Sequence, residues 1–472
     1  MVFSSTLFVF GFLPLLLLCY FIAAPQYRNY ILLIFSLVFY GWGGPKYLVL
    51  MCFVVFADYA FALAIAQTKK IGLRKLFVVL SVVANLGVLG YYKYTNFLVD
   101  NINHVAHTNI QIADIVLPIG ISFFTFQAMS YVIDVYRGDV AVQKNPFYVM
   151  LYVSLFPQLV AGPIVRYKTV ENEIKDRTIT VDDFAAGLER FILGFAKKII
   201  IANNVGALAD KIFGMAQVDM SLAWVGAVSY TLQIYFDFSA YSDMAIGLGR
   251  IFGFHFDENF NFPYIATSVA DFWKRWHISL TNWFRDYVYI PLGGNRKGMP
   301  RMYVNMFIIW TLTGVWHGAE WNFILWGMYY FVFQAAEKLF LGKILSKLPK
   351  VIQHIYALFV ITVGWVIFRC DSGLSQCARY LKSLFSMQVT DRGLTFIRVY
   401  ASQYGIYVLL GIIFSIPFYR VIKKWCQTKL EGKDKAKAVA AVVGYIALLG
   451  LFYISVLFLV NSTYNPFIYF RF

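Results

Sequence analysis

The sequence predicts an all-α polytopic membrane protein, with about 11–12 transmembrane helices plus re-entrant and interfacial amphipathic helices. Three observations predict it. Of 472 residues, 60% are hydrophobic, 19% aromatic and only 14% charged, well below the charge of a soluble domain; mean hydropathy is +0.63. Apolar windows recur from end to end, and a roughly 30 Å hydrocarbon core takes about 20 helical residues to cross. Basic residues gather in short loops between those windows, as cytoplasmic loops do. A membrane barrel would instead show short alternating strands.

Candidate spans run near 6–24, 30–44, 46–66, 76–97, 117–137, 187–210, 222–250, 302–318, 321–341, 351–369, 403–419 and 438–460. The first, Phe3 to Ala24, imitates a secretory signal but lacks a preceding basic region and a convincing small-residue cleavage site, so it reads as a retained helix. The loops Gln67–Lys75, Leu341–Lys350 and Arg420–Lys437 are rich in Lys and Arg and are placed in the cytoplasm. Threading from those anchors puts the N-terminus outside, Ser372–Gln403 outside and 254–300 inside. No compact soluble domain and no repeat of fixed period is visible. The expectation is one domain, 1–472, with a catalytic core near 117–341 and C-terminal helices over 351–472.

Two stretches depart from simple spans. Phe147 to Val165 is apolar but contains Phe156-Pro-Gln-Leu-Val-Ala-Gly-Pro-Ile, whose two prolines break a helix. That pattern fits a re-entrant segment packed inside protein. From Trp273 the large apolar residues fall at 273, 276, 280, 283, 284 and 287, opposite Lys274, Arg275, Asn282, Arg285 and Asp286. The spacing predicts one amphipathic helix, with His277 on its inward stripe.

The formal charge is 41 − 25 = +16. Its placement in inter-span loops points to anionic headgroups rather than nucleic acid, with a lesser share available to donor phosphates. The cysteines Cys19, Cys52, Cys370, Cys377 and Cys426 form no Cys-x-x-Cys pair, so neither a zinc site nor a disulfide framework is indicated. Cys370 and Cys377 are the one pair suited to an oxidising compartment.

The chemistry centres on two dipeptides. Thr311-Leu-Thr-Gly-Val-Trp-His-Gly-Ala-Glu-Trp-Asn-Phe carries Trp316-His317, and Trp273-Lys-Arg-Trp-His-Ile-Ser-Leu-Thr carries Trp276-His277. A titratable ring in membrane-like sequence is costly and usually faces a cavity, a partner or a substrate path. A buried neutral imidazole accepts a proton from an alcohol, which suits a general base; the competing reading is a histidine bonded between helices for packing alone. Gly314 and Gly318 form a Gly-x-x-x-Gly pair that permits close helix contact. Asp237 and Asp243 lie within a long span and need a donor or a cavity, and Glu320 follows His317 by one turn. Lys93, Asp134, Arg137 and Arg190 read as snorkelling or paired structural charges. Serine-hydrolase elbows, zinc-protease helices and phosphate loops are all missing.

These residues carry a family resemblance. The run from Trp273 with Trp283-Phe-Arg-Asp-Tyr-Val-Tyr-Ile-Pro-Leu-Gly-Gly-Asn-Arg resembles the first motif of the membrane-bound O-acyltransferases. Val315-Trp-His-Gly-Ala-Glu-Trp-Asn-Phe-Ile-Leu-Trp-Gly resembles their second histidine motif. Phe156-Pro-Gln-Leu-Val-Ala-Gly-Pro-Ile, Phe236-Asp-Phe-Ser-Ala-Tyr-Ser-Asp-Met-Ala and Val2-Phe-Ser-Ser-Thr-Leu-Phe resemble the bacterial branch that holds the alginate O-acetyltransferase membrane subunit. The resemblance implies a multi-pass protein of the bacterial cytoplasmic (inner) membrane, helical around a central funnel or tunnel. It implies a catalytic role for His317 and a supporting one for His277, with Trp276, Trp316, Asp237, Asn282 and Glu320 as further supports.

It also implies a cytoplasmic acyl thioester, acetyl-coenzyme A, as co-substrate, with no bound cofactor and no metal. The acceptor is extracytoplasmic: a polysaccharide of alginate or peptidoglycan type, reached through an SGNH-hydrolase-like acetyltransferase partner. Six Lys or Arg against two Asp between 271 and 301 mark the donor side, with Lys274, Arg275 and Arg285 as candidate phosphate ligands. Two alternatives are carried: D-alanyl transfer to teichoic acid from a carrier-protein thioester, and, in a different class, a polytopic transporter.

Overall fold

Among the described residues the chain is helical, with no strand. The computed structural model describes residues 1–370, 373–462 and 464–468. Ser372, where one stretch expected outside begins, and 469–472 of the C-terminal region lie outside the described residues. The helices fall where the apolar windows predict them: α1 (Leu13–Ile22), α2 (Arg28–Gly41), α3 (Pro45–Gln67), α4 (Ile71–Ala106) and α5 (Ile121–Arg137) answer to the first five spans. Among the described residues six helical segments are long and apolar enough to cross a membrane: Pro45–Gln67, Ile71–Ala106, Val181–Phe213, Lys350–Arg369, Asp391–Phe414 and Asp434–Asn461.

The chain forms two compact units. The first comprises Met1–Phe191 and Met244–Asp257. Its core is a cluster of rings: Phe12 and Phe39 each sit with Phe156 at 5.5 Å between centroids, and Phe3 lies 4.9 Å from Phe8. Phe156 belongs to the proline-broken segment, which splits into α6 (Pro146–Ser154) and α7 (Phe156–Leu159). Asn145 caps α6 by accepting from Phe147 N, and Pro146 fills the first position, where its missing N–H costs nothing. The break at Leu155 frees polar backbone groups that lipid cannot satisfy. They are met inside the protein: Ser36 Oγ accepts from Phe156 N at 3.2 Å, and Gln158 Nε2 donates to Tyr152 O at 2.5 Å. Every residue of 149–165 is buried, so the broken segment is packed inside the protein. After α8 (Tyr167–Lys175), Arg177 ties the returning residues into this unit, donating to Phe252 O at 2.8 Å and to Asn29 Oδ1 at 2.6 Å.

The second unit comprises Ile192–Asp243 and Glu258–Phe472. Chain order runs through α9 (Val181–Ala196), a π-turn Lys197–Ala202, α10 (Asn203–Phe213) and α11 (Met220–Ile251). Residues 229–243 of α11 are buried on almost every face, as befits a central helix. Next come α12 (Val269–Arg275), α13 (Ile278–Phe284) with a π-turn Arg285–Tyr289, α14 (Gly298–His317) and α15 (Trp321–Ala336), which continues through a π-turn Glu337–Leu341 into α16 (Gly342–Leu345). Then follow α17 (Lys350–Arg369), α18 (Leu374–Leu384), α19 (Asp391–Phe414), α20 (Phe418–Lys429) and α21 (Asp434–Asn461). The span expected at 403–419 is a helix that starts earlier and ends at Phe414, just short of Pro417.

One expectation needs correction. The stripe 273–287 is not a single helix: α12 stops at Arg275, Trp276 is extended, and His277 adopts the left-handed region (φ 46°, ψ 53°) before α13 begins. The stripe residues Trp273, Trp276, Leu280, Trp283, Phe284 and Tyr287 are nevertheless all buried. Burial was legible; the break was not.

Candidate active site

The kink that seats His277 is built by Asn259, a fully buried residue that sequence reasoning missed. Its Oδ1 accepts from Ser279 N (3.2 Å), Ser279 Oγ (2.9 Å) and His277 Nδ1 (3.2 Å), while its Nδ2 donates to Ser242 Oγ (3.0 Å) on α11. Backbone bonds from Ile278 N to Asn259 O and from Asn261 N to Arg275 O clamp both sides of the bend. With Nδ1 committed as a donor, the neutral His277 ring presents Nε2 as an acceptor. The ring is 1% exposed and meets Phe238 edge-on at 4.7 Å.

His317 is the last residue of α14, and Gly318 turns the chain into α15. The approach of these two helices is set by glycine. A Cβ on Gly314 would stand 2.5 Å from Phe323 O and 3.3 Å from Ile324 Cα; one on Gly327 would drive into Trp310 O. The imidazole is 9% exposed and packed among Trp316 (4.9 Å), Trp326 (5.0 Å) and Phe368 (5.1 Å). Trp316 also lies 6.0 Å from the His277 ring, so one indole joins the two histidines. The two Trp-His pairs therefore meet in space. Around them stands an aromatic wall in which Trp276 lies 4.7 Å from Trp365 and Trp273 lies 5.0 Å from both Trp310 and Tyr330.

Three cavities adjoin this wall. One of about 240 Å³ has His277, Leu280, Thr281, Thr313 and Arg285 in its lining. A wider one of about 580 Å³ shares Trp273, Thr281, Gln334 and Lys338 with it and adds Lys274 and Glu337. A small chamber of about 20 Å³ is bounded by His317, Asp237, Trp276 and Trp365, with Phe467 and Ile468 of the C-terminal segment.

The predicted supports are distributed unevenly. Trp276, Trp316 and Asp237 join the histidines. Asn282 and Glu320 line none of these cavities, and Glu320 is the N-cap residue of α15. Lys274 reaches the wide cavity; Arg275 is paired with Asp271 at 3.0 Å, and Arg285 lines the middle cavity while pairing with Asp286 at 2.7 Å. Lys338 lines two cavities and was not foreseen, because it falls near the end of the apolar span expected at 321–341. Glu337 is spent locally: its carboxylate accepts from Val269 N (2.7 Å) and Ala270 N (3.0 Å) at the start of α12. Among the described residues no three His, Cys, Asp or Glu stand together as a metal site. Cys370 and Cys377 are both buried and not joined by a disulfide, and Cys370 Sγ donates to Val366 O at 3.1 Å.

Asp237 has an unforeseen partner, Lys198, at 2.6 Å, with side chains 2% and 3% exposed. Lys198 also donates to Pro466 O, and Asp237 Oδ2 accepts from Ile468 N at 2.8 Å. The neighbouring Lys197 pairs with Asp243 at 2.7 Å. Removing one member of a buried pair strands the other charge. Lys198→Met is expected to destabilise the protein by about 3–5 kcal/mol, read as a lowered melting midpoint of the detergent-solubilised protein; an unchanged midpoint refutes this account of the pair.

Comparison with known proteins bears on the same residues. The family model described as "MBOAT, membrane-bound O-acyltransferase family" matches residues 140–370. A probable alginate O-acetylase of Azotobacter vinelandii is 39% identical, with all of each chain covered. A peptidoglycan O-acetyltransferase of Helicobacter pylori is 34% identical over 82% of this chain and 80% of its own. A teichoic acid D-alanyltransferase of Bacillus subtilis is 30% identical over 47% of this chain and 59% of its own.

Proposed function

Because this chain belongs to the membrane-bound O-acyltransferase family, we propose that it carries an acetyl group from a cytoplasmic thioester across the membrane to a hydroxyl, for O-acetylation of an exported or cell-wall polysaccharide. It is a multi-pass membrane O-acyltransferase. The full-length likeness to an alginate O-acetylase and the likeness to a peptidoglycan O-acetyltransferase support the polysaccharide reading. The partial match to a D-alanyltransferase gives that alternative less support. One observation carries the mechanism: both histidines are buried, they share Trp316, and they face different cavities.

The donor is acetyl-coenzyme A. It enters through the wide cavity, where Lys274 and Lys338 meet its phosphates, and its thioester reaches the apolar cavity beside His277. His277 Nε2 accepts a hydrogen bond from an amide N–H of the donor arm and positions the thioester. His317 removes the proton of the acceptor hydroxyl as that oxygen bonds to the carbonyl carbon. The tetrahedral intermediate collapses, the C–S bond breaks, and the thiolate takes the proton from the His317 imidazolium. One ester and one thiol result, and the imidazole is neutral again.

The acceptor arrives from outside the bacterial cytoplasmic membrane as a hydroxyl of an SGNH-hydrolase-like partner that hands the acetyl group to the polymer. The test is a proteoliposome with the protein, radiolabelled acetyl-coenzyme A on the cytoplasmic face, and the partner or polymer on the other. Label appearing as a base-labile ester on the outer acceptor is the expected result. Label transfer only from a D-alanyl carrier protein, or label accumulating inside as free solute, overturns the reading.

A further inference from the structure

The small chamber beside His317 is large enough for one water molecule, which needs roughly 10–15 Å³ and two or more polar partners. Among the described residues its ionisable walls are His317 and Asp237; the indoles of Trp276 and Trp365 and the C-terminal residues Phe467 and Ile468 also line it. Asp237 does not wander there. Lys198 holds Oδ1 at 2.6 Å and the Ile468 amide holds Oδ2 at 2.8 Å, both within the protein interior. A carboxylate fixed at both oxygens keeps a constant direction, while the chamber leaves space for one bridging molecule towards the imidazole.

We propose that Asp237, held by Lys198, is a positioning residue for His317, acting through one water that bridges carboxylate and ring. The water donates to Asp237 and accepts from the ring N–H opposite the nitrogen that takes the acceptor's proton. This fixes the tautomer and orientation of the base, and it stabilises the imidazolium as it forms. A carboxylate behind a catalytic histidine does the same in hydrolase triads, there by direct contact. The pair thus has a function beyond packing: Lys198 sets the direction of Asp237, and Asp237 sets the direction of His317.

The inference rests on His317 as base, and the experiment separates the two. Four proteins are compared at equal membrane abundance with acetyl-coenzyme A and the outer acceptor: wild type, His317→Gln, Asp237→Glu, and the double variant Asp237→Asn with Lys198→Met, which removes both charges together. The double variant is expected to lose about tenfold or more in kcat, as orienting partners of this kind do, with donor KM unchanged. Asp237→Glu keeps the charge and the pair and is expected to restore most of the rate. If the double variant turns over at the wild-type kcat, or loses only donor KM, while His317→Gln is inactive, the positioning role is overturned and the base assignment stands. If His317→Gln is active, the base assignment itself falls. Should the double variant fail to accumulate, Asp237→Asn alone decides: a lowered kcat at unchanged donor KM supports the role, and a wild-type kcat or a change confined to KM overturns it.

Discussion

Replacing His317 by glutamine or alanine is expected to lower acetyl transfer by about 10²–10⁴-fold, the range of a lost general base. The two substitutions test different things. Glutamine keeps a polar group at the end of α14 and much of the ring's volume, but it cannot take a proton at neutral pH. Alanine also empties the space between Trp326 and Phe368. Both should be equally inactive if the chemistry matters, whereas alanine alone should lower the melting midpoint. Donor affinity should hardly change, because His277 and the lysines lie on the other cavities. The measurement is single-turnover transfer at matched membrane abundance. Wild-type rates in either variant would end the assignment.

Gly314→Val is expected to lower stability and activity together. Its Cβ would stand 2.5 Å from one backbone atom of α15 and 3.3 Å from another, and backbone atoms cannot turn aside. The two helices must part, at a cost of about 1–3 kcal/mol or more, and His317 sits one turn further along the same helix. Activity should therefore fall with stability, to near zero. Leu312→Ala, on the exposed side of α14, is the contrast and should change the melting midpoint little. Equal melting midpoints for Gly314→Val and wild type would refute the close-packing account.

Much of this was legible one residue at a time. The helix order followed from apolar windows, because each window must satisfy its backbone internally. The prolines at 157 and 163 announced the broken segment, and the Gly-x-x-x-Gly spacing allowed a close helix contact, which Gly314 makes with α15 while Gly318 caps α14. The inward stripe from 273 to 287 was read correctly as buried yet wrongly as continuous. A single left-handed residue at His277 is invisible to periodicity, since the apolar positions on either side keep their spacing. Its cause, Asn259, lies 277 − 259 = 18 residues upstream, one polar residue among the phenylalanines of a loop that shows no helical period. Lys198 was missed for a related reason. It reads as half of a Lys-Lys doublet at a helix, and its partner is 237 − 198 = 39 residues away.

The same doublet has a mechanical meaning. Lys197 and Lys198 are consecutive, yet they grip α11 at two heights, Asp243 and Asp237. They begin a π-turn, Lys197–Ala202, whose wider coil is what a helix adopts to absorb an extra residue. Two ion pairs to one helix act as a key in a slot. For α11 to slip by a turn, about 5.4 Å, or to rotate by one residue, about 100°, both pairs must break at once. The stretch between them is thus constrained in length as well as in composition. The insertion or deletion of one residue there would turn Asp237 away from the chamber beside His317.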